Sequence, residues 1–279
     1  MLNAFAKSVL PAAAEKAEDI LQKMIRLNTN GDKDVKPDRI SFTTCINAWS
    51  KSDQNGSASR ALAILKLMED LSREKGLVKI SPDIVTYNLV LKCLVSDSFD
   101  DKALKAEAII SKMKKRKVKA DIMSYNSVIQ CCCTTRSKDI NMRGHALRIA
   151  NETLLKISKS EHTTPNPFTF NFYIKACDRL AREPDKSKLI KAAWYYCCSS
   201  GQVSQPVLSI IRNTLSISHL EDIFRTIGTK DVRKIRLSDF PSEWSAGILP
   251  RYASTQSHQQ NTLKKNKQNE RRHQRLRNR

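Results

Sequence analysis

Short polar residues follow an aromatic residue at four places along the chain. They are Thr43, Asn88, Asn126 and Asn171, which come directly after Phe42, Tyr87, Tyr125 and Phe170. Hydroxyl and amide side chains donate and accept hydrogen bonds, so they can distinguish a carbonyl edge from an amino edge of a bound molecule. Asn is a mediocre helix residue. Its return at three of these four positions indicates a task other than helix formation.

A second polar set stands four residues before each aromatic residue. It consists of Asp38, Asp83, Asp121 and Asn166. Residues of these types cap helix N-termini by accepting hydrogen bonds from backbone N–H groups. From the residues alone, capping is the simpler interpretation of this set, and a binding role is the alternative.

Both sets belong to one repeated pattern. It occurs as PDRISFTTCI at 37–46, PDIVTYNLVL at 82–91, ADIMSYNSVI at 120–129 and PNPFTFNFYI at 165–174. Each copy has Asp or Asn, two residues, Ser or Thr, and then the aromatic residue. Self-similarity at this spacing is the signature of helical repeat proteins.

An apolar pair precedes the first copy, and another follows each of the first three copies. The pairs are Ala17 with Met24, Ala61 with Met68, Ala106 with Met113, and Ala150 with Ile157. Seven residues are two helical turns, so both members of a pair lie on one helix face. The pattern therefore predicts an all-α stack of hairpins. Each hairpin has an aromatic-led first helix and an Ala-led second helix, with loops that absorb the variable spacing.

The charge of the chain predicts an acidic partner. The formal net charge is +21, from 49 basic and 28 acidic residues. Nucleic acid is the leading candidate, and an anionic membrane surface is the alternative. No run of 18 apolar residues is present, so we expect no membrane-spanning segment.

The cysteines do not predict a metal site. None of the eight forms a C-x2-C pair, and His residues do not accompany them. We interpret them as small apolar side chains packed in a reducing compartment. We expect no metal ion and no cofactor.

The segments DIVTYNLVLKCL, AEAIISKM and VKAD, all within residues 83–121, resemble the pentatricopeptide-repeat (PPR) family. The resemblance covers about residues 1–205. It implies a right-handed α-solenoid that binds single-stranded RNA with one base per repeat. Family members act mostly in mitochondria and plastids, in RNA processing, stability or translation. No deaminase-like H-x-E…C-x-x-C pattern or nuclease carboxylate cluster accompanies the repeats, so we expect no catalysis.

The resemblance also implies roles for individual residues. The second residue of each repeat stacks between neighbouring bases, and these residues are Ile40, Val85, Met123 and Phe168. The alternative is that they are ordinary core residues, which is the usual role of an apolar side chain at a helix start. Stacking tolerates any base because every base has a flat face.

Base edges are recognised in the family by the residue after the aromatic together with the residue just before the next repeat. The pairs are Thr43 with Asp83, Asn88 with Asp121, and Asn126 with Asn166. The partner of Asn171 is expected near Ser204 or Gln205 and is not assigned to one residue. By the family's code, the first pair favours G, the second favours U and the third favours C over U. Asn171 suggests a pyrimidine at the fourth position. The implied target is 5′-G-U-C/U-pyrimidine-3′.

The predicted organisation has four parts. Residues 1–36 form a partial first repeat, 37–205 the PPR repeats, 206–250 capping helices with an extended segment, and 251–279 a disordered basic tail. LNAFAKS at 2–8 matches INAWSKS at 46–52, so we expect Met1 to lie inside a repeat and the natural start, with any targeting segment, to lie upstream.

Two basic segments are candidates for additional contacts. KMKKRKVK at 112–119 is expected to attract phosphates, or else to be a solvated face. The tail carries eight basic residues and one acidic residue within 264–279. Such a tail adds RNA affinity, contacts ribosomal RNA or protein, or only keeps the chain in solution. The alternative function for the whole chain is a protein-binding helical scaffold of tetratricopeptide-repeat type.

Overall fold

The computed structural model of the chain describes residues 12–32, 34–52, 54–74, 80–225 and 231–248. Within these ranges the regular structure is helical, with no strand. The α-helices are α1 Ala12–Thr29, α2 Arg39–Lys51, α3 Ser57–Glu74, α4 Ile84–Ser96, α5 Lys102–Lys115, α6 Ile122–Thr134, α7 Ile140–Ser158, α8 Pro167–Leu180, α9 Asp185–Ser199, α10 Gln205–Thr214 and α11 Ile217–Phe224. The predicted all-α helical-repeat class is confirmed.

The chain divides into two compact units. The first comprises residues 1–164 and 175–182, and the second comprises 165–174 and 183–279. In the first unit the first helices α2, α4 and α6 are neighbours in that order, and each also packs on its own second helix α3, α5 or α7. This is the packing of stacked hairpins, as in an α-solenoid. The four-part organisation proposed from the sequence stays a prediction.

Three first helices begin with the same capping device. The side chains of Asp38, Asp83 and Asp121 accept a hydrogen bond from the backbone N–H of the third helical residue. That third residue is Ser or Thr in each case, and its hydroxyl accepts in return from the N–H of the cap. This reciprocal arrangement is a capping box. Capping, the simpler interpretation of these Asp residues, is therefore confirmed.

The aromatic and Ala anchors of the repeat pattern belong to the buried core, although Tyr125 is only half-buried. Phe42 and Tyr87 are fully buried, and so are Ala61 and Ala106. A small Ala side chain lets two helices approach closely, because interaxial distance depends on the side chains at the contact. The pattern that revealed the repeat is thus the pattern of its packing.

Buried carboxylates connect successive hairpins in the first unit. Glu18 on α1 accepts from Trp49 Nε1 on α2 at 2.8 Å and from Arg60 Nε on α3 at 3.1 Å. One repeat later, Glu69 on α3 accepts from Tyr87 on α4 and from Lys112 on α5, each at 3.1 Å. Each carboxylate therefore joins a second helix to both helices of the next hairpin.

The second unit has an aromatic core of its own. Trp194 on α9 packs against Phe224 on α11, with ring centroids 5.5 Å apart. Phe240 and Trp244, from the segment after α11, lie 5.6 and 6.2 Å from the same indole ring. The segment after α11 therefore packs its two aromatic side chains against the preceding helices of this unit.

Some predictions fall on residues outside the described ranges. They concern the LNAFAKS helix end at 2–8 and the basic tail at 251–279. Where the chain is described, no helix combines the length and the apolar character that crossing a membrane requires.

Candidate nucleic-acid interface

An apolar side chain is exposed at the second position of each first helix in the first unit. Ile40 in α2 is 71% exposed, Val85 in α4 is 53% exposed and Met123 in α6 is 64% exposed. The alternative that these three are ordinary core residues is wrong. Their side chains are instead accessible to a flat group such as a base. Because α2, α4 and α6 are neighbours, the three residues occupy equivalent positions on adjacent helices.

The fourth predicted stacking residue lies in the second unit. Phe168 is half-buried near the start of α8. Its ring centroid is 6.2 Å from that of Phe172, with the planes 27° apart.

The fifth position of each first helix holds the predicted edge-recognition residue. Asn88 Nδ2 donates to Asp121 Oδ1 at 3.2 Å, so the second predicted pair is in direct contact. Thr43 Oγ1 lies 3.0 Å from Thr86 Oγ1, which in turn donates to Asp83 Oδ1 at 2.9 Å. The first predicted pair is therefore connected through Thr86.

The remaining edge-recognition residues are described within their own units. Asn126, in the first unit, is buried, with 8% of its surface exposed. In the second unit, Asn166 caps α8 by accepting from Thr169 N at 3.1 Å, and Asn171 is half-buried. Ser204, at the start of α10, is fully buried.

The two capping Asp residues of the predicted pairs differ in their surroundings. Asp121 Oδ1 accepts from Ser124 N and from Asn88 Nδ2, and Ser124 Oγ lies 2.9 Å from it. Asp83 Oδ1 accepts from both donors of Thr86, while Asp83 Oδ2 lies 3.5 Å from Arg39 Nη1. Each Asp thus serves as a cap and as part of a polar cluster between neighbouring repeats.

Sequence reasoning missed the hydroxyls inside these clusters. Ser124 Oγ lies 2.6 Å from Asn88 Oδ1, and Thr86 takes the same place beside Thr43. Their signal was in the sequence, because Ser or Thr precedes the aromatic residue in every copy of the pattern. That signal was used only to define the repeat.

Comparison with known families agrees with this geometry. The profile of the PPR repeat family matches residues 82–134, and the profile of the pentatricopeptide repeat domain matches residues 20–97. Residues 20–134 of the chain are therefore pentatricopeptide repeats. PPR proteins are in general a helical-repeat, RNA-binding family and are typically non-catalytic. No curated protein compared with the chain matches it.

The basic run of this PPR protein has two kinds of residue. Lys112 Nζ lies 3.1 Å from Glu69 Oε2, and Arg116 Nε lies 3.6 Å from Glu69 Oε1. These two cations therefore serve the contact between hairpins. The phosphate-attracting role predicted for the run rests on its exposed members, which are Lys114, Lys115, Lys117 and Lys119.

The cysteines of the PPR protein are packed in its interior. All eight are buried. Burial raises the pKa of Cys93 and of Cys131 to about 12, so neither thiol is ionised near neutral pH. In the described ranges, no group of His, Cys, Asp and Glu side chains is arranged to hold a metal ion.

Replacing an exposed apolar residue tests the stacking role directly. We expect Ile40→Ser to weaken binding of single-stranded RNA about fivefold, because an inserted side chain loses its contact with base faces. The free energy of unfolding should change by less than about 0.5 kcal/mol, since the residue is exposed. RNA titration and urea unfolding measure the two quantities.

Ile140→Ser is the matched control, because Ile140 is also 71% exposed and lies at the start of α7. Equal losses of RNA affinity in both variants would contradict the stacking role.

Proposed function

We propose that this PPR protein binds single-stranded RNA sequence-selectively, with one base for each repeat. The observation that supports this most is the shared register of α2, α4 and α6. In each helix an exposed apolar residue at the second position is followed three residues later by Thr or Asn. A base could be stacked by the first residue and recognised at its edge by the second.

The polar clusters between hairpins support edge recognition. Asn88 and Asp121 lie 3.2 Å apart, although they are 33 residues apart in sequence and belong to different hairpins. Two side chains that meet across neighbouring repeats can contact one base together. Thr43 and Asp83 are joined in the same manner through Thr86.

Charge supports an RNA partner over a protein scaffold. A net charge of +21 favours a polyanion, and four exposed lysines lie at the end of α5 and in the loop before α6. That loop leads directly into Asp121 and Met123, so the cations are adjacent in sequence to the proposed recognition residues. Phosphate attraction is non-specific and adds affinity to base recognition.

The biological setting belongs to the same proposal. We infer a role in the RNA processing, stability or translation of a mitochondrion or plastid, with no catalysis by this chain. Contacts of the basic tail with ribosomal RNA or protein would add to binding. Localisation of a fluorescent fusion to the full-length protein tests the organelle.

Binding of a short RNA tests the central claim. We expect an oligonucleotide containing 5′-GUCU-3′ to bind more tightly than a permuted one. Affinity should fall roughly 50-fold between about 50 and 200 mM salt, because about four phosphate contacts give a log–log slope near −3 for a single strand.

Paired lysine variants complete that test. Changing Lys117 and Lys119 to Gln should reduce the salt dependence, whereas changing Lys16 and Lys23 on α1 should not. All four side chains are exposed. Absence of RNA binding would overturn the proposal, and specific capture of a protein would then favour the scaffold alternative.

A further inference from the structure

In the first unit, two edge-recognition residues, Thr43 and Asn88, contact the next hairpin. A buried hydroxyl lies beside each of them. Ser124 and Thr86 are both fully buried and are the third residues of α6 and α4. Ser124 Oγ is 2.6 Å from Asn88 Oδ1, and Thr86 Oγ1 is 3.0 Å from Thr43 Oγ1. In both cases the hydroxyl belongs to the repeat that follows the recognition residue.

The contact fixes the orientation of the Asn88 amide. A carboxylate only accepts hydrogen bonds, so the Asn88 atom 3.2 Å from Asp121 Oδ1 is the donor Nδ2. Asn88 Oδ1 then faces Ser124, whose hydroxyl can donate to it. Two groups on the next repeat thus hold the two ends of one amide. One N–H and one lone pair of Asn88 are left for a base edge.

The same hydroxyl also belongs to the helix cap. Ser124 Oγ lies 2.9 Å from Asp121 Oδ1 and accepts from Asp121 N at 3.2 Å. Thr86 has the corresponding contacts with Asp83, at 2.9 and 3.4 Å. The two clusters repeat with different residues, Ser with Asn in one and Thr with Thr in the other. The shared element is the position of the hydroxyl between the recognition residue and the capping Asp.

We propose that Thr86 and Ser124 are positioning residues for base recognition, each orienting the recognition residue of the preceding repeat. The recognition unit then consists of three residues from two hairpins: Thr43, Thr86 and Asp83 for one base, and Asn88, Ser124 and Asp121 for the next. This inference rests on the proposed function. It adds that the base preference of a repeat depends on the third residue of the next first helix.

Removing one hydroxyl should affect one base. In Ser124→Ala the Asn88 amide loses one of the two groups that orient it. We expect the affinity ratio between U and other bases at the second position to fall about three- to tenfold, the usual worth of one hydrogen bond. The ratio at the first position should not change. Thr86→Ala should do the reverse, lowering the preference at the first position only.

Conservative variants separate positioning from stability. Ser124→Thr and Thr86→Ser keep the hydroxyl, and each introduces the residue that the other repeat uses, so both should keep the base preferences. A merely structural role would lower the midpoint of thermal unfolding and weaken all RNAs equally, with base ratios intact. The measurement is the affinity of the full chain and each variant for RNAs that vary one base at a time.

The outcomes distinguish the two proposals. If the unchanged chain binds no RNA or shows no base preference, the proposed function fails. If it shows a preference that Ser124→Ala and Thr86→Ala leave unaltered, or alter at both positions alike, the positioning role is overturned and the proposed function stands. Loss of preference at one position only, with rescue by the conservative variant, supports it.

Discussion

Asn88→Thr is expected to change the base preferred at the second position from U to G. The variant gives the second repeat the Thr and Asp combination that Thr43 and Asp83 provide in the first. The relative affinity for the two bases should change about tenfold or more, since a well-placed hydrogen-bonded pair discriminates a base by about 1–3 kcal/mol. Asp121 still accepts from Ser124 N at 2.8 Å, so the cap of α6 is retained.

The measurement is fluorescence anisotropy with RNAs that carry each base at the second position. Asn126→Thr makes the same chemical change one repeat later and serves as the matched control. It should leave the preference at the second position unaltered. Continued preference of Asn88→Thr for U, or an equal change in both variants, would contradict recognition by one repeat for each base.

Glu69→Ala is expected to cause a large loss of stability. Glu69 accepts from the hydroxyl of Tyr87 at 3.1 Å, and Tyr87 is fully buried. Burial, reinforced by the nearby Glu69 carboxylate, raises the pKa of Tyr87, so the hydroxyl keeps its proton and needs an acceptor. Lys112 and Arg116 can turn to water, but Tyr87 cannot. We expect the free energy of unfolding to fall by about 2–3 kcal/mol.

Two further variants define the cause of that loss. Glu69→Gln retains an acceptor for Tyr87 and should cost less than Glu69→Ala. Asp70→Ala removes the adjacent carboxylate, whose ion pair with Arg73 at 2.6 Å lies at the surface. Such a pair contributes about 0–1 kcal/mol, so this variant should be nearly neutral. Urea unfolding followed by helical circular dichroism compares the three. Equal losses at positions 69 and 70 would show that Glu69 does not connect the hairpins.

Periodic features of the fold were predictable from the sequence. Phe42 and Tyr87 marked the first helices because each aromatic residue stands at a fixed distance from a capping Asp. Ala61 and Ala106 marked the second helices because a core position must be small wherever two helices approach closely. Such constraints act on every repeat and therefore recur in the sequence.

The outward-facing and inter-repeat features were not predictable in the same way. A single apolar residue at a helix start, such as Val85, does not belong to an apolar pattern within its helix. The sequence of that helix therefore does not show whether the side chain faces the core or the solvent. The contact of Glu69 with Tyr87 and Lys112 joins residues that are 18 and 43 positions apart and lie on three different helices. Asn126 matches Asn88 in sequence position, but Asn126 is buried while Asn88 is partly exposed. Each of these depends on how one hairpin lies against the next.

The double use of Asp83 and Asp121 restricts how target choice can change in evolution. Few side chains begin a helix well, and replacing a good one by Ala costs about 1 kcal/mol. Few residue types are therefore tolerated at the capping position, whereas the fifth position of the helix has no capping role. The first two complete repeats agree, since both retain Asp at the cap while Thr43 is replaced by Asn88. New specificities should therefore arise first at the fifth residue, with the helix start held constant.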